Sequence, residues 1–261
     1  MAACEQQENT EDSDDPGAAP YGNFINYYTF NPPENRLALL PETLLQDLGY
    51  RDGHQTVLML DVGCNSGDLS VALYKHLVLR PEKEESTDDT MTAAHILGFD
   101  LDESLIQRAQ ETNPHPGNIS FIPLDITTTT SGSHRDPLQD YLQDHGNPRF
   151  QVCFCFAVTM WVHLNHGDAA LLTFLSRLAS MSDHLVLEAQ PWKCYRSAAR
   201  RLRKLGRSDF DHFKGLRIRG DVAQHARDHL EALCGMELIQ SFGRTAWDRK
   251  VLLFKRKECR L

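Results

Sequence analysis

No run of about 18 apolar residues occurs anywhere in the 261-residue chain, so the sequence offers no candidate transmembrane helix. The N-terminus, MAACEQQENTEDSDD, has neither a basic patch nor an apolar stretch. A secretory signal or mitochondrial presequence is therefore not expected, and the expected compartment is the cytosol or nucleus. CxxC pairs are missing as well. The seven cysteines (Cys4, Cys64, Cys153, Cys155, Cys194, Cys234, Cys259) are an odd and scattered set, and the close pair at 153 and 155 sits in an apolar run. That excludes a disulfide framework and a zinc ribbon as first readings; reduced, mostly buried thiols and no bound metal are expected. Residues 1–20 hold Glu5, Glu8, Glu11, Asp12, Asp14 and Asp15 with no Lys or Arg. They read as a disordered acidic tail. Positive charge gathers instead at 190–220, where ten Lys and Arg face only Asp209 and Asp211. A chain of net charge −9 can still bind a polyanion there, because the local field decides. Internal repeats and heptads are absent, so nothing signals an oligomer and a monomer is expected.

Aromatic residues crowd at Tyr21, Phe24, Tyr27, Tyr28 and Phe30, which suits a lid or packing flap. Pro32 and Pro33 can open a helix carrying Leu37, Leu40, Leu44 and Leu48, and Pro41 can break it in two. From Val57 the pattern changes to apolar runs alternating with helix-like stretches. VLMLDV, HILGFD and ISFIPLD each end in or near an acid. QVCFCFAV at 151–158 and HLVLEAQP at 184–191 are further strands, with helices expected at 69–79, 102–111, 136–145, 167–180, 193–205 and 222–234. Residues 81–92 are an acidic surface loop. Unbroken apolar strands alternating with helices imply a parallel sheet covered on both faces. MELIQSF and VLLFKRK, separated by a turn, form a terminal hairpin, so one of them runs antiparallel. A seven-stranded, mostly parallel α/β sheet with that ending is the Rossmann-like arrangement of class I S-adenosylmethionine-dependent methyltransferases.

LDVGCNSG at 60–67 is the strongest motif. A strand delivers Asp61, a tight turn follows at Gly63, and Gly67 starts a helix. Glycines there let a ligand approach the backbone, since any Cβ would collide with it. Asp100 is placed to accept from two ribose hydroxyls. Asp125 can accept from an adenine amino group, with Ile126 packing on the ring. The place of the amino-methylase [N/D/S]-P-P-[Y/F] motif reads CFAVTMW, without proline or acid. Cys155, nearest to a cytosine-ring nucleophile, is flanked by Phe154 and Phe156 and reads as core. A phosphate oxygen needs no general base, being anionic near neutrality with a second pKa of about 6. A site with amide, imidazole and phenol donors suits it. His163, Asn165, Tyr27 and Tyr28 are the candidates, each equally compatible with packing or capping. Trp192 reads either as a stacking platform for a terminal base or as core. After it, Arg196, Arg200, Arg203 and Arg207 fall on one helical stripe, an expected RNA track.

PYGNFINYYTF, NPPENRLALLP, LDVGCNSGDLSVALYKH, TMWVHLNHGD, EAQPWKCYRSAARRLRK and WDRKVLLFKRK together resemble the bicoid-interacting family of RNA 5′-phosphate methyltransferases, over residues 20 to 256. Within that family the chain is most similar to the cytoplasmic branch acting on RNA 5′-monophosphates, which implies histidine tRNA and precursor microRNA as substrates and S-adenosyl-L-methionine as methyl donor. The resemblance places cofactor contacts on Arg36 (toward the methionine carboxylate), Asn65, Asp100, Asp125, Ile126 and the Asp61–Gly67 loop. It places substrate contacts on Asn23, Tyr27, Tyr28, His163, Asn165, Gln190, Pro191 and Trp192. Where nuclear capping relatives carry a Lys before the Trp of the fourth motif, this chain has Met160, which fits a smaller phosphate load. The implied organisation is a tail at 1–20, a methyltransferase domain at 21–256 with a lid segment at 21–50, and a short tail at 257–261. Two other readings remain open at this point: a methyltransferase of a protein or small molecule, and an RNA-binding protein that keeps the fold without turnover. The basic stripe speaks against the first, and Asp61, Gly63, Gly67, Asp100 and Asp125 against the second.

Overall fold

The computed structural model describes residues 19–50, 56–79, 93–128 and 136–258. The acidic tail through residue 18 and the loop at 81–92 lie outside the described residues. Three short helices come first: α1 (Tyr27–Phe30), α2 (Glu34–Leu37) and α3 (Leu44–Asp47). Pro41 falls between the last two, where it has no N–H to continue a helix. Strands and helices then alternate as β1 (Val57–Val62), α4 (Asp68–Leu77), β2 (Ala94–Asp100), α5 (Glu103–Thr112), β3 (Ile119–Pro123), α6 (Pro137–Asp144), β4 (Phe150–Phe156), α7 (Thr159–Ser180), β5 (Ser182–Glu188), α8 (Trp192–Lys204) and α9 (Val222–Leu233). The chain closes with β6 (Met236–Arg244) and β7 (Lys250–Arg256). Asp102, Asp136 and Asp221 start α5, α6 and α9 by accepting backbone N–H groups of the first turn.

The strands form one sheet in the order β3-β2-β1-β4-β5-β7-β6. The first five pair in parallel, and β7 runs antiparallel to both β5 and β6, giving the expected hairpin. Alternation along β1 shows why both faces are covered. Leu58, Leu60 and Val62 face a core built with α6, α7, α8 and α9, while Val57 and Met59 face one built with α3, α4 and α5. All six residues of β1 are buried, so the run needs no polar face. The order reverses where β1 pairs with β2 on one side and β4 on the other, which opens a crevice at their carboxyl ends. Among the described residues no helix is long and apolar enough to cross a membrane.

Four expectations are corrected. Asp125 does not close β3, which ends at Pro123; it lies in the following turn. The helix after β4 begins at Thr159, not 167; Gly167, at φ 83° and ψ −178°, kinks it in the middle. Leu205, the last residue of the helix expected at 193–205, lies just past the end of α8 and is exposed. Because α8 ends at Lys204 and Gly206 follows with φ 67°, Arg207 lies beyond the helix, so the stripe within it is Arg196, Arg200 and Arg203.

Candidate active site

The turn after β1 is built from three left-handed residues, Gly63 (φ 68°), Asn65 (φ 50°) and Gly67 (φ 81°). A Cβ at Gly63 would stand 2.6 Å from Val158 Cγ2, and one at Gly67 2.6 Å from Phe121 Cζ. The protein's own packing and the positive φ demand these glycines before any ligand does. Asn65 fits its conformation by a local bond, its Oδ1 accepting from Ser66 N at 2.8 Å, while its Nδ2 donates to the distant Phe24 O at 3.0 Å. Asp100, at the end of β2, accepts from Asn65 N at 3.0 Å and Asp102 N at 3.1 Å, so it fixes the turn from below. Asp61 is buried and accepts from Ser70 Oγ at 2.5 Å. Burial pushes its carboxyl up to about 6, against the pull of Ser70 and Arg36.

A flap crosses this turn. Asn23 Nδ2 donates to Asp102 Oδ2 at 2.8 Å, and Asn165 Nδ2 donates to Pro20 O at 2.9 Å. Phe24 packs edge-on against Trp161 at 5.8 Å, and Gly22 (φ 76°) lies so close to the Trp161 indole that a side chain there would collide. Tyr28 Oη donates to Cys64 O at 3.2 Å. Tyr27 Oη accepts from Arg36 Nη2 at 2.7 Å, which leaves its own proton to donate elsewhere. Arg36 is buried, with Nε donating to Glu188 Oε2 at 2.6 Å and Nη1 without a partner.

Two cavities result. The first, about 290 Å³, is lined by Asp61, Gly63, Asn65, Asp100, Asp125 and Ile126, with Tyr27, Tyr28 and Arg36 under the flap. Its three carboxylates outnumber its one cation. Asp125 is exposed at the rim, where its Oδ1 accepts from Thr127 N at 2.8 Å and Thr127 Oγ1 at 2.6 Å. The second cavity, about 580 Å³, has the opposite character. Lys193, Arg201 and Arg249 line it with Gln190, Asn31 and Trp247, and no acid does. The two share Tyr27, Ala157 and Trp161.

Several expected substrate residues are elsewhere. His163 reaches neither cavity: it is fully buried, with Nε2 2.7 Å from Asp168 Oδ1 and Nδ1 3.1 Å from Tyr195 Oη. Burial lowers its pKa, only partly offset by Asp168. Asn165 lines neither cavity and holds the flap. Trp192 is no free platform; it stacks on Tyr195 at 4.9 Å and Phe213 at 5.6 Å, with Arg219 over the ring. Gln190 lines the cationic cavity, but its Oε1 is taken by Thr159 Oγ1 and Met160 N. Arg196, Arg200 and Arg203 are exposed on α8, outside both cavities. The sequence reading missed Trp161, Glu188, Trp247 and Arg249. Glu188 carried a usable signal, since LVLE ends β5 in an acid as β2 ends in Asp100.

Against known proteins, the chain is 66% identical over 259 residues to a Danio rerio pre-miRNA 5′-monophosphate methyltransferase, covering 98% of this chain and all of that one. It belongs to the Bicoid-interacting protein 3 family. The Bin3 profile itself matches residues 150–256, from β4 through β7. The Homo sapiens RNA 5′-monophosphate methyltransferase is 48% identical over 244 residues, covering 93% of this Bin3 chain and 82% of that one. A Drosophila melanogaster U6 snRNA methylphosphate capping enzyme, Amus, is 27% identical over 215 residues, 77% and 62% of the two chains. Among solved structures, the Synechocystis magnesium protoporphyrin IX methyltransferase with bound SAM superposes at TM-score 0.51 with 16% identity, covering 89% and 82% of the chains. At that identity the likeness shows the fold alone, a class I methyltransferase fold.

Proposed function

We propose that this Bin3 chain transfers a methyl group from S-adenosyl-L-methionine to the 5′-monophosphate of small RNAs, with histidine tRNA and precursor microRNA as substrates, acting as a cytoplasmic monomer. The observation that carries this is the pair of cavities of opposite charge meeting at Tyr27, Ala157 and Trp161. The residues of the first fit the methyl donor. Its acids suit a molecule bearing a sulfonium and an ammonium, and the orphaned Arg36 Nη1 is a buried donor for a carboxylate. Each Asp100 oxygen already accepts a backbone N–H, and Asp125 Oδ1 accepts from Thr127, but both carboxylates line the cavity with acceptor capacity left for hydroxyl and amino groups. The bound donor supplies a methyl already activated on its sulfonium.

The chain's own residues supply position. Lys193, Arg201 and Arg249 attract a phosphate dianion; Arg201 lies over the Phe24 ring at 5.9 Å and forms no ion pair among the described residues. Tyr27, on the shared wall, can donate its proton to a phosphate oxygen while Arg36 holds its own oxygen. No base is required, because the attacking oxygen already carries charge. Catalysis then consists of alignment and exclusion of water beneath the flap. The arginines of α8 would carry the rest of the RNA backbone. The experiment is labelled-methyl transfer to one small RNA bearing a 5′-hydroxyl, monophosphate or triphosphate, with nuclease mapping. Label confined to the 5′-monophosphate end is expected; equal label on the 5′-hydroxyl RNA overturns the reading.

A further inference from the structure

Glu188 lines neither cavity, yet it touches the arginine of the first, Arg36, and one of the three basic groups of the second, Arg249. The Glu188 side chain is fully buried at the end of β5. Oε2 accepts from Arg36 Nε at 2.6 Å, on the side of the acid-lined cavity. Oε1 accepts from Arg249 Nη1 at 2.9 Å and Trp247 Nε1 at 3.0 Å, on the side of the cationic one. Both guanidinium groups also lie against the Trp247 ring, at 5.1 Å and 5.8 Å. Its backbone carbonyl accepts from Ala157 N at 3.1 Å, and Ala157 is in the wall the cavities share. One carboxylate between two arginines leaves the cluster with an excess positive charge, and each arginine keeps one buried nitrogen unpaired, Arg36 Nη1 and Arg249 Nε.

We infer that Glu188 is a positioning residue that seats one guanidinium for the cofactor carboxylate and another for the RNA 5′-phosphate at the same time. This rests on the two-cavity reading above. A carboxylate has two acceptor oxygens and can serve both arginines; a carboxamide has one. In Glu188→Gln the single oxygen stays with the side offering two donors, Arg249 and Trp247. The amide NH₂ then faces Arg36 Nε, donor against donor, and Arg36 is displaced.

The test measures two quantities on folded protein: affinity for S-adenosylhomocysteine by calorimetry, and the ratio of affinities for one RNA oligonucleotide with a 5′-monophosphate or a 5′-hydroxyl end. Glu188→Gln should lower the first by about tenfold or more, the scale of a lost charge-assisted pair, and reduce the second by less. Trp247→Phe keeps every charge and the ring but removes one Oε1 donor. It should lower the phosphate preference a few-fold and weaken S-adenosylhomocysteine binding by less, the reverse of the order expected for Glu188→Gln, because Arg36 keeps its carboxylate and an aromatic neighbour; it tests the same wiring should Glu188→Gln fail to fold. Unchanged or tighter binding of both ligands in the folded variants would mean that Glu188 is merely a counter-charge, and the inference falls. Wild-type protein that binds both RNA ends equally would instead overturn the phosphate reading of the second cavity, while the S-adenosylhomocysteine arm still judges Glu188.

Discussion

Replacing Gly63 by alanine separates what the protein demands of that position from what a ligand demands. The residue sits at φ 68°, and a Cβ there would stand 2.6 Å from Val158 Cγ2. Forcing an L-residue into the left-handed region costs about 1–2 kcal/mol, and overpacking a tight contact adds about 1–3 kcal/mol. The sum, about 2–5 kcal/mol, lowers Tm by about 2–4 °C for each kcal/mol in a domain of this size. Val158 lines the cofactor cavity, so the side chain that yields moves a wall of the binding site and S-adenosylhomocysteine affinity falls as well. Val158→Ala makes room for the new methyl. Combining the two changes should therefore recover the steric share of the loss and leave the backbone share. Thermal melts and calorimetry on the two single variants and the double variant form a complete cycle. If the effects of Gly63→Ala and Val158→Ala simply add, the cost does not lie in that contact and the reasoning fails.

Arg200→Ala with Arg203→Ala should reduce the slope of log RNA affinity against log salt by about 1.4, at about 0.7 per single-strand phosphate contact, without changing cofactor affinity; salt titrations of both variants and wild type check this. His163→Ala should destabilise the fold by about 1–3 kcal/mol by taking the imidazole from the buried Tyr195 hydroxyl; Asp168 keeps the backbone N–H groups of Arg217 and Ile218. A His163→Ala protein that melts like wild type but has lost turnover would return that residue to the catalytic centre. Asp61 is held up to about 6 by burial, so its negative charge is lost as pH falls through that value. Affinity of the free protein for the cationic S-adenosylmethionine should drop below pH of about 6, and Asp61→Asn should flatten the drop. The same shift makes the acid protonate more readily folded than unfolded, so its contribution to stability is present at low pH and is lost as pH rises through about 6.

Strands and hairpin were legible because parallel strands buried on both faces are nearly unbroken apolar runs. The acid-lined first cavity was legible for a related reason: Asp61 and Asp100 lie at the ends of β1 and β2, and Asp125 lies in the turn just past β3. The second cavity was not. Phe24, Trp161, Lys193, Arg201 and Arg249 come from the flap, α7, α8 and the final hairpin turn, and no spacing in the chain joins them. His163 and Trp192 misled because residue type states what a side chain can do, and packing states whether it is free to do it. Trp192 has its faces covered by Tyr195 and Phe213, while Trp161, two residues before His163, holds the shared wall.

The direction of the parallel strands has a practical consequence for handling the molecule. The first cavity lies where β1, β2 and β4 end, and the second beside the ends of β4 and β5. β1 begins at Val57 and β2 at Ala94, at the opposite pole of the sheet. By contrast, the stretch from Thr128 to Asp136 departs next to Asp125, Ile126 and Thr127, on the rim of the first cavity. A fluorophore attached at Ala93 therefore lies away from the first cavity, whereas one at Thr128, also exposed, stands beside its rim and should respond when that cavity fills.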